Sequence, residues 1–464
     1  MKDIINVKKY IIIYYIIFSL ILLSLPAIFI NNLNDQFKIM CILPISYSVI
    51  VLFLFNVKKE RIIKNKAILI ILSTYFIRMY LYPIIICFKG IEIYNFNRAI
   101  DNRIIISVLL QIYEFISIAI CITVIKYNKL KKIKIKEIDK LNINKIIYYI
   151  IFISIISIII FPSILSIFRP IVFKDINSEN IWKINRILAK ENLNPIIYNI
   201  VGILIPIARI LLTILIIIKI RKLNLNKKIS RNKSIIFSII IALNLLIFIT
   251  DDRAGNIYCF IAVFLVIRKL YDLKNKVSIN IIFVIMGLIL LYIFFGKSNE
   301  ILSSRLNAYF SGTINIGAST LMERNNIIQY LLGDILRHIP IIKGLFINLP
   351  MSNELFNMAL GIDTVYNSQI IPNIGQGIFY FGYVFSPILS IILSYIGIKL
   401  WDKSENNNSI FEYFILIFSS IFFSVGSVMY YFTLTINLVL LYVGIMFIIN
   451  MTSKIQIKGI GYGE

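Results

Sequence analysis

Long apolar runs separated by polar connectors dominate the hydropathy pattern of this 464-residue chain. Runs such as Tyr10–Ile30, Ala67–Phe88 and Ile146–Phe168 are long enough to cross about 30 Å of hydrocarbon as single helices. Because a backbone in lipid must satisfy its own hydrogen bonds, continuous apolar runs indicate helices. The pattern predicts an all-α polytopic membrane protein with about 12 transmembrane helices, at residues 10–30, 37–55, 67–88, 104–125, 146–168, 195–218, 234–250, 254–267, 278–296, 377–398, 410–428 and 432–450.

One long polar interruption, residues 297–376, separates the ninth predicted helix from the tenth. It contains His338, the single histidine of the chain. Within it, the apolar positions of 327–337 recur at the spacing of an amphipathic helix that would lie along the membrane surface. A second short helix is predicted to run through Leu360 and to end at Gly361. We therefore expect one integral membrane domain, 1–464, with 297–376 as a large external loop.

Composition supports the membrane-protein class, and the positions of the basic residues explain the net charge. Hydrophobic residues make up 59% of the chain, and the mean hydropathy of +0.86 excludes an ordinary soluble enzyme. The net charge of +25 is typical of nucleic-acid-binding proteins. However, lysine and arginine concentrate in connectors such as 126–145 and 219–233, which the helix order places in the cytoplasm with both termini. The charge therefore reflects membrane topology, and no nucleic-acid partner is expected.

Three ionisable residues, Arg78, Glu114 and Arg209, fall inside predicted spans. Counted from the cytoplasmic helix ends, all three lie about 15–18 Å deep, near the middle of the membrane. An unpaired charge there costs several kcal/mol, so each needs a partner or a water-filled cavity. Arg78 and Glu114 lie at matching depth on consecutive antiparallel helices, which predicts an ion pair. Such a pair leaves Arg209 as the better candidate for binding an anionic ligand.

The turn 250–255, Thr-Asp-Asp-Arg-Ala-Gly, joins two predicted spans that together have barely enough residues for two crossings. It must lie at or below the outer interface, with Arg253 at the start of the descending helix. Backbone N–H groups at a helix start favour anions, so Arg253 is a second candidate for anion binding. The alternative is a local pairing of Asp252 with Arg253 that only caps the hairpin.

The remaining polar residues narrow the chemistry. A single histidine and no cysteine cluster argue against a zinc site, and no phosphate-binding loop or dinucleotide fingerprint is present. We therefore expect no metal and no cofactor. Arginines on the outer face and deeper in the spans suit phosphate and pyrophosphate, and nearby aromatic residues suit sugar rings. The candidates for substrate binding are Arg305, Arg337, Arg78, Tyr309 and Glu354. A lipid-linked pyrophosphoryl sugar would use all of these features.

Three segments resemble the Wzy-type polysaccharide (O-antigen) polymerases, also called oligosaccharide repeat unit polymerases. The turn 250–255 resembles the short arginine turn of that family, and 307–312, Asn-Ala-Tyr-Phe-Ser-Gly, resembles its Tyr-x-x-Gly segment. The segment 373–383 resembles the end of the family's large loop, where a small-residue turn leads into an aromatic-Phe-Gly helix start. The order of these segments and the hydropathy match over nearly the whole chain. The resemblance implies a GT-C-like, O-antigen polymerase–ligase architecture in the bacterial plasma (inner) membrane.

The resemblance also implies a reaction. A growing glycan on undecaprenyl pyrophosphate is transferred onto a new lipid-linked repeat unit at the outer face, and a chain-length regulator protein is a possible partner. We assign the pyrophosphate to Arg209, Arg253 and Arg305, with Arg337 nearby. His338 is the candidate general base, because histidine titrates near neutrality. Asp334 and Glu354 are reserve bases, and the alternative for His338 is a polar position on an interfacial helix.

Other function classes remain open from the sequence. A lipid-linked oligosaccharide flippase has a similar number of helices but usually short external loops. A polyprenyl-phosphate-sugar glycosyltransferase would place an acidic metal-binding motif in the first external loop, where this chain has only Asp35. The related O-antigen ligase uses the same donor with a different acceptor, and the His-bearing loop fits it nearly as well. A non-enzymatic transporter or interaction protein is the fourth alternative.

Overall fold

The computed structural model describes most of the chain between residues 35 and 429. The described ranges are 35–89, 98–126, 145–163, 253–270, 312–339, 343–361, 370–406 and 410–429, with single positions between 181 and 216 and at 432, 433, 435 and 444. All regular secondary structure in these ranges is helical, which confirms the predicted all-α class.

The α-helices run in chain order as follows: α1 Ile42–Lys64, α2 Lys66–Tyr75, α3 Tyr82–Lys89, α4 Ile104–Val124, α5 Lys145–Ile160, α6 Arg253–Leu270, α7 Gly312–Ser319, α8 Ile327–Leu336, α9 Ser352–Leu360, α10 Asn373–Phe385, α11 Ile388–Glu405 and α12 Ile410–Met429. Short 3₁₀ segments, Asp35–Cys41, Arg98–Arg103 and Lys343–Phe346, lead into α1, α4 and the loop before α9. A π-helical stretch, Phe76–Leu81, joins α2 to α3.

Three helical segments among the described residues are long and apolar enough to cross a membrane: Lys38–Lys64, Lys66–Ile86 and Ala99–Val124. They correspond to the predicted spans 37–55, 67–88 and 104–125, and the first continues to Lys64. The starts of α5 and α6 and the whole of α12 also agree closely with the sequence prediction. The predicted spans 10–30, 234–250 and 278–296, and most of 432–450, lie outside the described residues.

The faces of α4 show why this helix suits a bilayer. Six apolar side chains at helical spacing are exposed: Ile105, Leu109, Tyr113, Ile116, Ile120 and Val124. The polar side chains of Ser107, Gln111 and Glu114 are instead buried against the rest of the protein. An apolar exposed face and a polar buried face are typical of a helix that contacts lipid and packs its polar groups inward.

The predicted single helix over 377–398 is wrong, because α10 and α11 meet at an angle of 108°. Gly382 has φ 78°, a left-handed conformation that interrupts the helical ladder. Pro387 follows with no N–H to offer to that ladder. Arg324 compensates by donating from Nε to the Phe379 carbonyl at 2.9 Å and from Nη2 to the Tyr380 carbonyl at 3.3 Å.

Helices α11 and α12 pack against each other through small residues. Gly397 of α11 packs against Ser420 and Ser424 of α12, and both serines are buried. The Ser420 hydroxyl donates to the Gly397 carbonyl at 2.6 Å. Small residues let helix backbones approach closely, which strengthens packing where both helices are surrounded by lipid.

Gly397→Ala is expected to destabilise the protein by about 1–3 kcal/mol through overpacking. A Cβ atom at Gly397 would lie 2.6 Å from the Ser424 hydroxyl oxygen and 3.1 Å from the Ser424 backbone nitrogen. Gly444→Ala is the matched control, because a Cβ there meets nothing within 4 Å. Thermal unfolding of the detergent-solubilised chain measures both, and equal melting temperatures would contradict the close helix approach.

Candidate functional site

An ion pair between Arg78 and Glu114 lies in the protein interior. Arg78 Nη1 is 3.2 Å from Glu114 Oε2, and the side chains are 2% and 0% exposed. Glu114 Oε1 accepts a hydrogen bond from Ser390 Oγ of α11. The pairing predicted from depth is confirmed. The enclosure of Arg78 favours this structural role over the substrate-binding role also considered for it.

The π-helical stretch positions Arg78. Pro83 lies two residues after the end of the stretch, and a proline ring collides with the carbonyl one helical turn before it. The wider turn relieves this collision, and Tyr82 N–H reaches the Ile77 carbonyl instead. Arg78 lies within this stretch, and its buried side chain is paired with Glu114 of α4.

Helix α7 closes the polar interior beside this ion pair. All eight residues of α7 are buried. Gln111 Nε2 donates to Thr313 Oγ1 at 2.9 Å, and Ser107 donates to the Thr313 carbonyl. Gly312 lies so close to Gln111 and Arg78 that a Cβ would collide with both. Sequence reasoning missed these α7 contacts, although Ser107, Gln111 and Glu114 share one face of α4 and could have indicated a polar partner.

Asp334 joins three elements of the predicted external segment. Its carboxylate is fully buried and accepts hydrogen bonds from Ser352 N at 2.9 Å and from Ser352 Oγ at 2.5 Å. Gln376 Nε2 and the Tyr380 hydroxyl also donate to it, each at 2.7 Å. Asp334 therefore holds α8 to the start of α9 and to α10. Four donors fix this carboxylate in place, which favours a structural role over that of reserve base.

Arg337 of the end of α8 pairs with Glu354 of the start of α9, and His338 follows Arg337 in the chain. Arg337 Nη1 is 2.8 Å from Glu354 Oε1 and donates to the Leu349 carbonyl at 2.7 Å. The Glu354 side chain is 37% exposed and also accepts from Met351 N, capping the start of α9. This partly open cluster brings three of the predicted site residues within one short stretch of structure.

The ring of His338 is oriented by the backbone. His338 Nδ1 lies against the Asp334 carbonyl, which can only accept a hydrogen bond. Nδ1 therefore carries the proton in the neutral ring, and the lone pair of that ring is on Nε2. The side chain is half-buried. A hydrogen bond from one ring nitrogen to a backbone carbonyl sets which nitrogen carries the proton.

An apolar surface flanks this cluster on α8. Ile328, Leu331, Leu332 and Ile335 are exposed, and Ile328 is 74% exposed. The opposite side of α8 buries Gly333 and Asp334. The amphipathic helix predicted over 327–337 is confirmed as α8, and the second short helix is confirmed as α9, which ends at Gly361 in a left-handed conformation.

The other predicted site residues are described only in part. Arg209 is half-buried in a helical region and lies within electrostatic range of the Cys259 thiol of α6. Arg253 begins α6, as predicted, and its side chain lies outside the described positions. Arg305 and Tyr309 also lie outside the described residues. In the described part of the chain, no group of three His, Cys, Asp or Glu side chains could hold a metal ion.

No family model, curated protein or solved structure matches the chain. Its function must therefore be argued from the site itself. The described part of that site combines a half-buried histidine of defined tautomer, a guanidinium–carboxylate pair and an exposed apolar helix face.

Proposed function

We propose that the chain is a polysaccharide polymerase of the plasma membrane, a metal-independent glycosyltransferase with about 12 spans and cytoplasmic termini. It would act on an undecaprenyl pyrophosphate-linked oligosaccharide at the outer face. The observation that supports this most is the α8–α9 unit. There the exposed apolar face of α8 lies beside Arg337, His338 and Glu354, so one short unit offers a surface for a lipid tail and ionisable groups for its head.

The proposed reaction forms one glycosidic bond and breaks one. The acceptor sugar hydroxyl gives its proton to His338 Nε2 as its oxygen attacks the anomeric carbon of the donor glycan. The bond from that carbon to the pyrophosphate oxygen breaks, and undecaprenyl pyrophosphate leaves with the electron pair. Arg337 contributes positive charge to the leaving group when the pyrophosphate replaces Glu354 as its partner. Arg209, Arg253 and Arg305 are assigned to the same pyrophosphate.

His338→Ala and His338→Asn are both expected to reduce polymerisation about 10²–10⁴-fold, the usual contribution of a general base. The two variants separate chemistry from structure. The asparagine amide can still donate to the Asp334 carbonyl but cannot act as a base. Chain growth is measured with the variant proteins in membranes that contain the lipid-linked repeat unit, alongside their melting temperatures. A His338→Asn protein with normal chain growth would show that only the hydrogen bond matters.

A deletion strain tests the reaction class directly. Loss of a polymerase leaves single repeat units on the lipid at the outer face. Loss of a ligase would instead leave long chains that are not attached to their final acceptor. Loss of a flippase would leave the lipid-linked precursor at the cytoplasmic face. Either of the last two outcomes would overturn the proposal.

A further inference from the structure

A cavity of about 370 Å³ opens between the ends of α1 and α4. The proposed topology places these ends in the cytoplasm, on the opposite side of the membrane from the proposed reaction. Arg61 of α1 joins the two ends by donating a hydrogen bond to the Ile125 carbonyl. The Arg61 side chain also lies 3.7 Å from Asp402 of α11. The volume of the cavity is within the range of small-ligand sites in proteins.

The lining of this cavity is strongly basic. It includes Lys58, Lys59, Arg61, Lys64 and Lys126, with Glu60 as its one carboxylate. Lys64 is paired with Glu60 at 2.9 Å, and Arg61 with Asp402. Lys58 and Lys126 add positive charge beyond these pairs among the described residues of the lining, so the cavity is suited to an anion.

A break in α1 shapes the basic wall. Lys58 has φ −132° and ψ 30°, which is not helical, so the helix is kinked at this residue. Lys58 and Lys59 are half-buried, whereas Lys403, a basic residue at the end of α11, is exposed. The positive-inside rule accounts for lysines on solvated connectors. It does not by itself predict that such lysines line a concave surface.

The same cavity also has an apolar wall. Val57 and Val124 line it and are 48% and 72% exposed, and Ile125 lies next to them. Basic and apolar groups in one cavity at the end of membrane-crossing helices match a phosphate group attached to acyl chains. An inorganic phosphate would use only the basic wall.

We propose that this cavity binds the phosphate headgroup of an anionic phospholipid of the cytoplasmic leaflet. The proposal is independent of the reaction at the outer face. Bound lipid would join α1 to α4 through its phosphate, with the acyl chains lying along Val57 and Val124. The site thereby makes the stability of this corner of the protein depend on the charge of the surrounding lipid.

Native mass spectrometry of the full-length, detergent-solubilised protein tests the proposal with three probes: phosphatidylglycerol, phosphatidylcholine and inorganic phosphate. Phosphatidylglycerol is expected to remain bound at concentrations where phosphatidylcholine does not, and to raise the melting temperature. Equal retention of the two lipids would overturn the proposal. Displacement of phosphatidylglycerol by stoichiometric inorganic phosphate would overturn the lipid assignment, since it would mean that the apolar wall contributes nothing.

Charge variants locate the binding site. Lys58→Gln is expected to weaken phosphatidylglycerol binding about fivefold, and Lys58→Gln with Lys126→Gln about 25-fold, the effect of one and two basic groups near an anionic headgroup. Lys403→Gln is the matched control, because it removes an exposed lysine that does not line the cavity. It is expected to change binding less than twofold. A loss for Lys403→Gln as large as that for Lys58→Gln would show diffuse surface attraction and overturn the site.

Discussion

Glu114→Ala is expected to lower the free energy of unfolding by about 3–5 kcal/mol, because it leaves the buried Arg78 guanidinium without its carboxylate. Arg78 is only 2% exposed, so water cannot replace the lost partner without opening the interior. The Ser390 hydroxyl loses its acceptor as well. The measurement is the unfolding free energy of the full-length chain, titrated from mild detergent into denaturing micelles.

Two further variants show which interaction is responsible. Arg78→Met combined with Glu114→Leu removes both charges, and we expect it to recover most of the stability lost in Glu114→Ala. Ser390→Ala removes only one hydrogen bond and should cost about 1 kcal/mol. A double variant that is no more stable than Glu114→Ala would show that packing, rather than an uncompensated charge, causes the loss.

Asp334→Ala is expected to cost about 4 kcal/mol or more, because it leaves the donors of Ser352, Gln376 and Tyr380 without their shared acceptor. The loss should be concentrated where α8, α9 and α10 meet. Limited proteolysis between α8 and α9 should therefore become faster than in the parent protein. Polymerisation should fall too, because loss of these contacts would let α8 shift and would move the Asp334 backbone carbonyl that orients His338.

Tyr380→Phe is the matched control for Asp334. It removes one donor and leaves the carboxylate with its other partners, so we expect a cost of about 1 kcal/mol and little change in proteolysis. Asp334→Asn keeps one acceptor oxygen and should lie between the two. If Asp334→Ala were no more susceptible to protease than Tyr380→Phe, the carboxylate would not be what joins these helices.

The sequence predicts best what depends on local pattern. Hydropathy located α4 and α12 closely, and depth along the spans paired Arg78 with Glu114 before any contact was known. Amphipathic spacing found α8, and Gly361 ended α9 as expected. Each of these rests on helical periodicity, membrane thickness or the conformation of one residue.

Features that depend on distant parts of the chain could not be found this way. The apolar composition of 377–398 gives no sign of the bend at Gly382. The Phe379 and Tyr380 carbonyls before the bend accept hydrogen bonds from Arg324, which belongs to another segment. Asp334 was placed on the polar face of α8 as a reserve base, yet its partners lie on α9 and α10. The roles of Arg253, Arg305 and Tyr309 in the site stay predictions.

The burial of α7 has a consequence for the order of assembly. Ser107 and Gln111 of α4 bond to Thr313, which follows Ser107 by 206 residues. At about 5–20 residues per second, the ribosome needs about 10–40 s to make the intervening chain. Throughout that time α4 has its polar face in the membrane without this partner, so the insertion machinery or a neighbouring helix must shelter it. A nascent chain that stops before Gly312 would retain this exposed polar face, which quality-control proteases could recognise.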